Sequence, residues 1–242
     1  IFEIEILIQE FKREKERKPA DINLLFIEEP EAHTHPQMQY VFIKNIKKLL
    51  REGIKREDGE CRKLQYIITT HSSHIVADSD FDDVKYLKKN GCNSVDAKNL
   101  KDLKKDYDER SKEYHFLTQY LTISRAEIFF AEKVVLIEGD TERILIPTMM
   151  KKIDIEEAEK YKHIGEKDPY LPLLSQNISI IEVGAYSHIF DKFIDFLGIK
   201  SLIITDLDAI NADGEKCRVS DGISYSNSAI SHYFGGKTIN EL

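Results

Sequence analysis

The chain has 242 residues, 41% apolar and 10% aromatic, enough for one large or two modest globular domains and too apolar for a chain disordered throughout. Its formal charge of -8 excludes a molecule coated in basic residues, so a nucleic-acid partner would have to be met by a local patch, by bound metal or by another subunit. Three scattered cysteines, Cys61, Cys92 and Cys217, indicate neither a disulfide framework nor a zinc site and fit a reducing cytoplasm, and no apolar run approaches the roughly 18 residues that cross a bilayer.

Residues 1 to about 17 place Ile4, Ile8 and Phe11 at helical spacing against charged positions, and Pro19 closes that helix. Because the chain starts at Ile1 inside this pattern, it is expected to begin partway through a larger protein. Leu24-Leu25-Phe26-Ile27 reads as a strand covered on both faces and ends at Glu28-Glu29-Pro30. Met38, Val41, Phe42, Ile46, Leu49 and Leu50 predict an amphipathic helix from Pro36 to Leu50, followed by a charged loop over 53 to 62. Tyr66 to Thr70 predicts a second buried strand, ending in His71-Ser72-Ser73-His74. Val84 to Leu87 reads as a short strand before a turn at Asn90-Gly91, and the charge-rich stretch 98 to 114 as a solvated linker or exposed helix. From 131 onward strands at 133 to 138, 178 to 183 and 201 to 206 alternate with helices at about 141 to 152 and 187 to 197, a β-α-β-α-β series that calls for a parallel sheet. The Gly-, Ser-, Asn- and Asp-rich stretch 209 to 235 reads as loops.

Two of these strands end in acids. Glu138-Gly139-Asp140-Thr141-Glu142 follows the first, and Asp206-Leu207-Asp208 the last. Gly139 allows a tight turn, Asp140 or Thr141 can cap the next helix, and Glu142 would then face back toward Glu138. Strand alternation would point Asp206 and Asp208 the same way, with Leu207 in the packing. Taken singly, each acid is also what a helix start or a turn prefers. Four carboxylates at one sheet edge would repel without cations, and Mg²⁺ takes such hard oxygen ligands.

These residues resemble the Toprim domain of topoisomerases, primases and OLD-family nucleases, whose motif is a strand-end Glu-Gly and a later Asp-x-Asp. The resemblance implies acid-base or metal work for Glu138, metal binding by Asp206 and Asp208, and, through the OLD-family acid four residues on, metal binding by Glu142. Two Mg²⁺ or Mn²⁺ ions are implied. Gly184 matches the glycine after the second strand, and Lys237 is the nearest candidate for a late basic residue meeting the scissile phosphate.

Leu24 to Glu31 is similar to the Walker B segment of ABC-type ATPases, with Glu-Glu in place of Asp-Glu. The resemblance implies that Glu28 holds Mg²⁺ through water, that Glu29 orients or deprotonates the attacking water, and that His71 senses the γ-phosphate of ATP. Ala32 to Pro36 fits the segment that meets an opposite subunit. His33 and His35 lack a third partner for a metal. No phosphate-binding G-x-x-x-x-G-K-[ST] loop occurs, since Ser231 stands where Gly235-Gly236-Lys237-Thr238 would need its first glycine.

The expected fold class is α/β: a partial ABC-type ATPase lobe over residues 1–88, a connection over 89–126, and over 127–242 a Toprim domain with a mainly parallel Rossmann-like sheet flanked by helices, possibly truncated at its end. That organisation resembles OLD-family ATP-dependent endonucleases. It implies metal-dependent cleavage of DNA gated by an ATPase dimer or higher homo-oligomer, in antiphage defence or DNA processing, with a possible defence partner and no membrane. The rival expectation is a non-nuclease ATPase regulator with an inactive Toprim domain.

Overall fold

The computed structural model describes residues 23–32, 34–52, 54–55, 61–62, 64–91, 93–107, 112–123, 125–164 and 170–241. The helix expected over residues 1 to 17 lies outside them, as do His33 and most of the loop over 53 to 62. The chain divides into two compact units, Ile1–Val84 with Tyr120–Ala126, and Lys85–Gln119 with Glu127–Leu242.

In the first unit, β1 (Asn23–Glu28) leads through a turn into α1 (Pro36–Glu52). A short antiparallel pair, β2 (Ile54–Lys55) and β3 (Cys61–Arg62), precedes β4 (Leu64–Thr69), and α2 (Ser73–Ala77) follows. β1 and β4 pair in parallel and end flush, Glu28 opposite Thr69. The expected double-sided cover is observed on one side only. Leu25, Ile27 and Ile68 pack against Ile43, Ile46 and Ile75 from α1 and α2, whereas Leu24, Phe26 and Ile67 are exposed. Strand alternation is the reason: the described helices supply one layer, and odd positions of β1 face it while even positions do not. The buried stripe of α1 accordingly runs through Gln39, Ile43 and Ile46, while Met38 and Val41 are exposed.

The second unit opens with a hairpin, β5 (Lys85–Asn90) and β6 (Ser94–Asn99), turning at Gly91 with φ 64°. Residues 98 to 107 are not a solvated linker. A 3-10 turn over Leu100–Lys105 buries Leu100 and Leu103, and Tyr107 is buried with its hydroxyl donating to Ile189 O at 2.5 Å and accepting from Phe193 N at 3.2 Å. Its charged residues sit between these apolar ones, so composition hid a packed segment. α3 (Lys112–Ile123) follows, with Tyr114 and Leu117 buried.

The core of this unit is a three-stranded parallel sheet of β7 (Lys133–Ile137), β8 (Ile178–Glu182) and β9 (Lys200–Ile204), in the order β8-β7-β9. Val134 to Ile137 are buried, as a central strand between two layers requires. β7 is followed by α4 (Asp140–Ile164), which carries Ile146 and Met150 onto Val135 and Ile137. α4 runs a dozen residues past its expected end, into a polar stretch without an apolar stripe to mark it. β8 leads through a 3-10 segment to α5 (Asp191–Leu197), whose Phe193 stacks edge-on with Phe129 at 5.6 Å. Beyond β9 the expected loops include a short antiparallel pair, β10 (Ala209–Ile210) and β11 (Ser224–Tyr225), and a helix, α6 (Ser228–Phe234), with Ala229 and Ile230 buried.

The strand order positions the site. β7 hands the chain to β8 on one side, and β8 returns it to β9 on the other side of β7. The direction of travel thus reverses between β7 and β9, and the carboxyl ends flanking such a switch are where open α/β sheets bind ligands.

Candidate functional site

Glu138 stands at that switch. Its Oε2 accepts three hydrogen bonds, from Thr205 Oγ1 at 2.6 Å, Asp206 N at 2.9 Å and Asn227 Nδ2 at 3.1 Å. The carboxylate leaving β7 is thereby tied to the chain leaving β9 and to the start of α6. Glu142 Oε2 accepts from Gly139 N at 2.8 Å, and Arg143 N donates to Gly139 O at 3.2 Å. Gly139 is therefore the helix N-cap and Glu142 the N3 acid of a capping box, in place of the cap expected at Asp140 or Thr141.

Asp206 and Asp208 reach the same corner by a different route from the one expected. β9 stops at Ile204, and Asp208 has φ 47°, so strand alternation does not govern the pair. Asp208 Oδ1 accepts from Lys216 Nζ at 2.9 Å, an exposed ion pair. Desolvation, and then the charges of Glu138, Glu142 and Asp208, push the Asp206 carboxyl above the usual carboxylate range, against an opposing pull from Lys216. Glu138, Glu142 and Asp208 thus all bear electrostatically on Asp206.

Hard oxygen donors crowded in this way suit a divalent cation such as Mg²⁺. As the side chains stand, however, no three Asp, Glu, His or Cys groups among the described residues are gathered closely enough to grip an ion. Glu138, Glu142 and Asp208 instead each accept from protein donors. Gly184, φ 59°, lets the chain turn sharply after β8. Lys237 lies just past α6 with its Nζ 5.3 Å from the centre of the Phe234 ring, and no described contact joins it to the acids.

The first unit brings a second set together. Because β1 and β4 end flush, Glu29 N donates to Thr69 O at 2.9 Å, and His71 Nε2 lies 3.3 Å from Glu29 Oε1. Glu29 itself has φ 42°. Glu28, one residue earlier, ends β1 with its side chain exposed. Glu31 clamps the opposite strand end, its Oε2 accepting from Thr70 Oγ1 at 2.9 Å and its Oε1 from His71 N at 2.5 Å. Beneath them the buried Gln39 accepts from Ser72 Oγ and donates to Thr34 O at 3.2 Å.

Sequence reasoning did not single out Glu31, Thr205, Lys216 or Asn227. Glu31 closes the Walker B-like segment, and Thr205 immediately precedes the Asp206-Leu207-Asp208 motif. Asn227, before Ser228-Ala229-Ile230, carries a helix-start signal that the polar composition of the region masked.

Residues 129–208 match the family model of the Overcoming lysogenization defect protein-like TOPRIM domain, and residues 1–76 match that of an AAA ATPase domain. Over 209 residues the chain is 32% identical to Endonuclease GajA of Bacillus cereus (strain HuB5-5), covering 81% of this chain and 28% of that protein. Over 207 residues it is 23% identical to the Old nuclease of Escherichia phage P2, covering 84% of this chain and 31% of that protein. The chain therefore spans less than a third of the length of each of these relatives.

Proposed function

Since this chain joins an AAA ATPase segment to an OLD-like TOPRIM domain and is homologous to two nucleases, we propose that it belongs to a divalent-metal-dependent DNA endonuclease controlled by ATP. The observation that carries the proposal is the convergence of Glu138 and Asp206 at the β7/β9 switch, with Glu142 and Asp208 acting electrostatically on the same corner. Mg²⁺ or Mn²⁺, one or two ions, would activate water and stabilise the leaving oxygen of a phosphodiester. Asp206, Asp208, Glu138 and Glu142 would hold the metal. Thr205 and the Asp206 backbone fix the Glu138 carboxylate, so that it meets an incoming group already oriented.

In the ATPase segment, Glu28 would hold the nucleotide's Mg²⁺, Glu29 would orient the attacking water and His71 would sense the γ-phosphate. The Glu29–His71 approach and the Glu31 clamp on His71 N support that division of labour, because movement of one group is felt by the other. The protein would act in the cytoplasm as a homodimer or higher homo-oligomer, in antiphage defence or DNA processing. Among the described residues no helix is long and apolar enough to cross a membrane.

A supercoiled-plasmid assay of the full-length protein with Mg²⁺ or Mn²⁺ tests this. Wild type is expected to nick, and Asp206→Ala and Glu138→Gln to lose nicking. Equal nicking by all three would overturn the nuclease assignment. Survival of the biological effect in both variants would favour a regulator with an inactive TOPRIM domain.

A further inference from the structure

Asn227 sits 89 residues from Glu138 in sequence, outside every motif, yet it is 2% exposed and its side chain makes five hydrogen bonds. Its carboxamide oxygen accepts from the N–H groups of Ala229 at 2.9 Å and Ile230 at 3.3 Å, which caps α6. Its nitrogen donates to Glu138 Oε2 at 3.1 Å, Thr205 Oγ1 at 2.9 Å and Asp206 O at 2.9 Å, two hydrogens shared among three acceptors. The cap fixes which end of the amide faces the helix, and so it also fixes which end faces the acids.

We propose that Asn227 is a positioning residue of the divalent-metal site, orienting Glu138 and the Asp206 backbone through its carboxamide. The proposal rests on the nuclease assignment above. A cap alone does not require asparagine, because Asp and Ser cap helices equally well. Only asparagine also offers an N–H₂ to a carboxylate, and at this burial no solvent can substitute for it. All three donors meet Glu138 at Oε2, so Oε1 is the oxygen left for a cation. Partners that orient metal ligands in this way typically contribute about 10–100-fold to metal affinity or activity.

The test uses the full-length protein and Mn²⁺ alone as probe, by isothermal titration calorimetry without DNA, alongside melting temperature. Asn227→Ser keeps a capping hydroxyl but removes the amide; its Mn²⁺ Kd is expected to rise about 10-fold or more while the protein stays folded at the assay temperature. Thr205→Val, which deletes the second side-chain donor to the same oxygen, is expected to weaken Mn²⁺ in the same direction. The double variant should then lose less than the product of the two, because both groups hold one carboxylate.

Should Asn227→Ser melt early, Asn227→Asp retains the cap while replacing the donor by a carboxylate; it is expected to fold and to lose nicking at saturating Mn²⁺. Wild-type Mn²⁺ affinity in Asn227→Ser, or wild-type nicking in Asn227→Asp, would reduce Asn227 to a helix cap and overturn the proposal. If Asp206→Ala abolishes Mn²⁺ binding while the Asn227 variants do not, the proposal alone fails. If Asp206→Ala also binds Mn²⁺ and nicks normally, the nuclease assignment beneath it fails.

Discussion

Glu29 and Asp208, one in each unit, are the non-glycine residues at positive φ among the described residues. A left-handed conformation costs an L-residue about 1–2 kcal/mol, and it persists where surrounding contacts over-determine it. Each residue follows an apolar strand by one to four positions and turns the chain so that a carboxylate stays at the strand end. Asp208→Gly therefore separates placement from stability. Its melting temperature is expected to stay level or rise, because glycine relieves the backbone while the exposed Lys216 pair contributes only about 0–1 kcal/mol. Plasmid nicking should nevertheless disappear. A clear drop in melting temperature would show that Asp208 is a structural residue first. The identities of the acids were legible in the sequence because strand-end carboxylates have a recognisable pattern. Their conformations were not, since alternation holds only inside a ladder and β9 ends before Asp206.

The β-α-β-α-β series was legible because β7 and β8 are continuous apolar runs with helical periodicity between them. Segment 98 to 107 was not, because its two leucines and Tyr107 are outnumbered by Lys and Asp, and average polarity hides three side chains that reach a core. Lys98 Nζ donates to Phe196 O, and Lys192 Nζ to Asp106 O at 2.6 Å, so even some of the charge serves to hold this segment against α5. Burial also pushes the Tyr107 phenol up, keeping it a neutral donor and acceptor between Ile189 and Phe193. Leu103→Ala should cost about 2–5 kcal/mol in chemical denaturation, the range for a fully buried leucine. A change within about 0.5 kcal/mol would return the segment to the solvated linker its composition suggests.

On the proposed function, nucleotide chemistry would belong to the acid-bearing strand end of the first unit and phosphodiester chemistry to that of the second. A chain with formal charge -8 does not grip DNA by bulk electrostatics. Cations at the carboxylates, or parts of the longer relatives that this chain does not span, would have to supply that attraction.

The TOPRIM family match ends at Asp208, but the side chain that ties Glu138 to Asp206 from the far side is contributed at position 227. The family match and the set of side chains that hold Glu138 thus end at different places along the polypeptide. A version cut after Asp208 would keep the four acids and lose the side chain that fastens Glu138 to the Asp206 backbone, together with the buried Ala229 and Ile230. Such a version, compared with one ending at Leu242 by Mn²⁺ calorimetry, is expected to bind the ion poorly or not at all. Equal binding would mean that the stretch up to Asp208 is self-sufficient and that the tail merely decorates it.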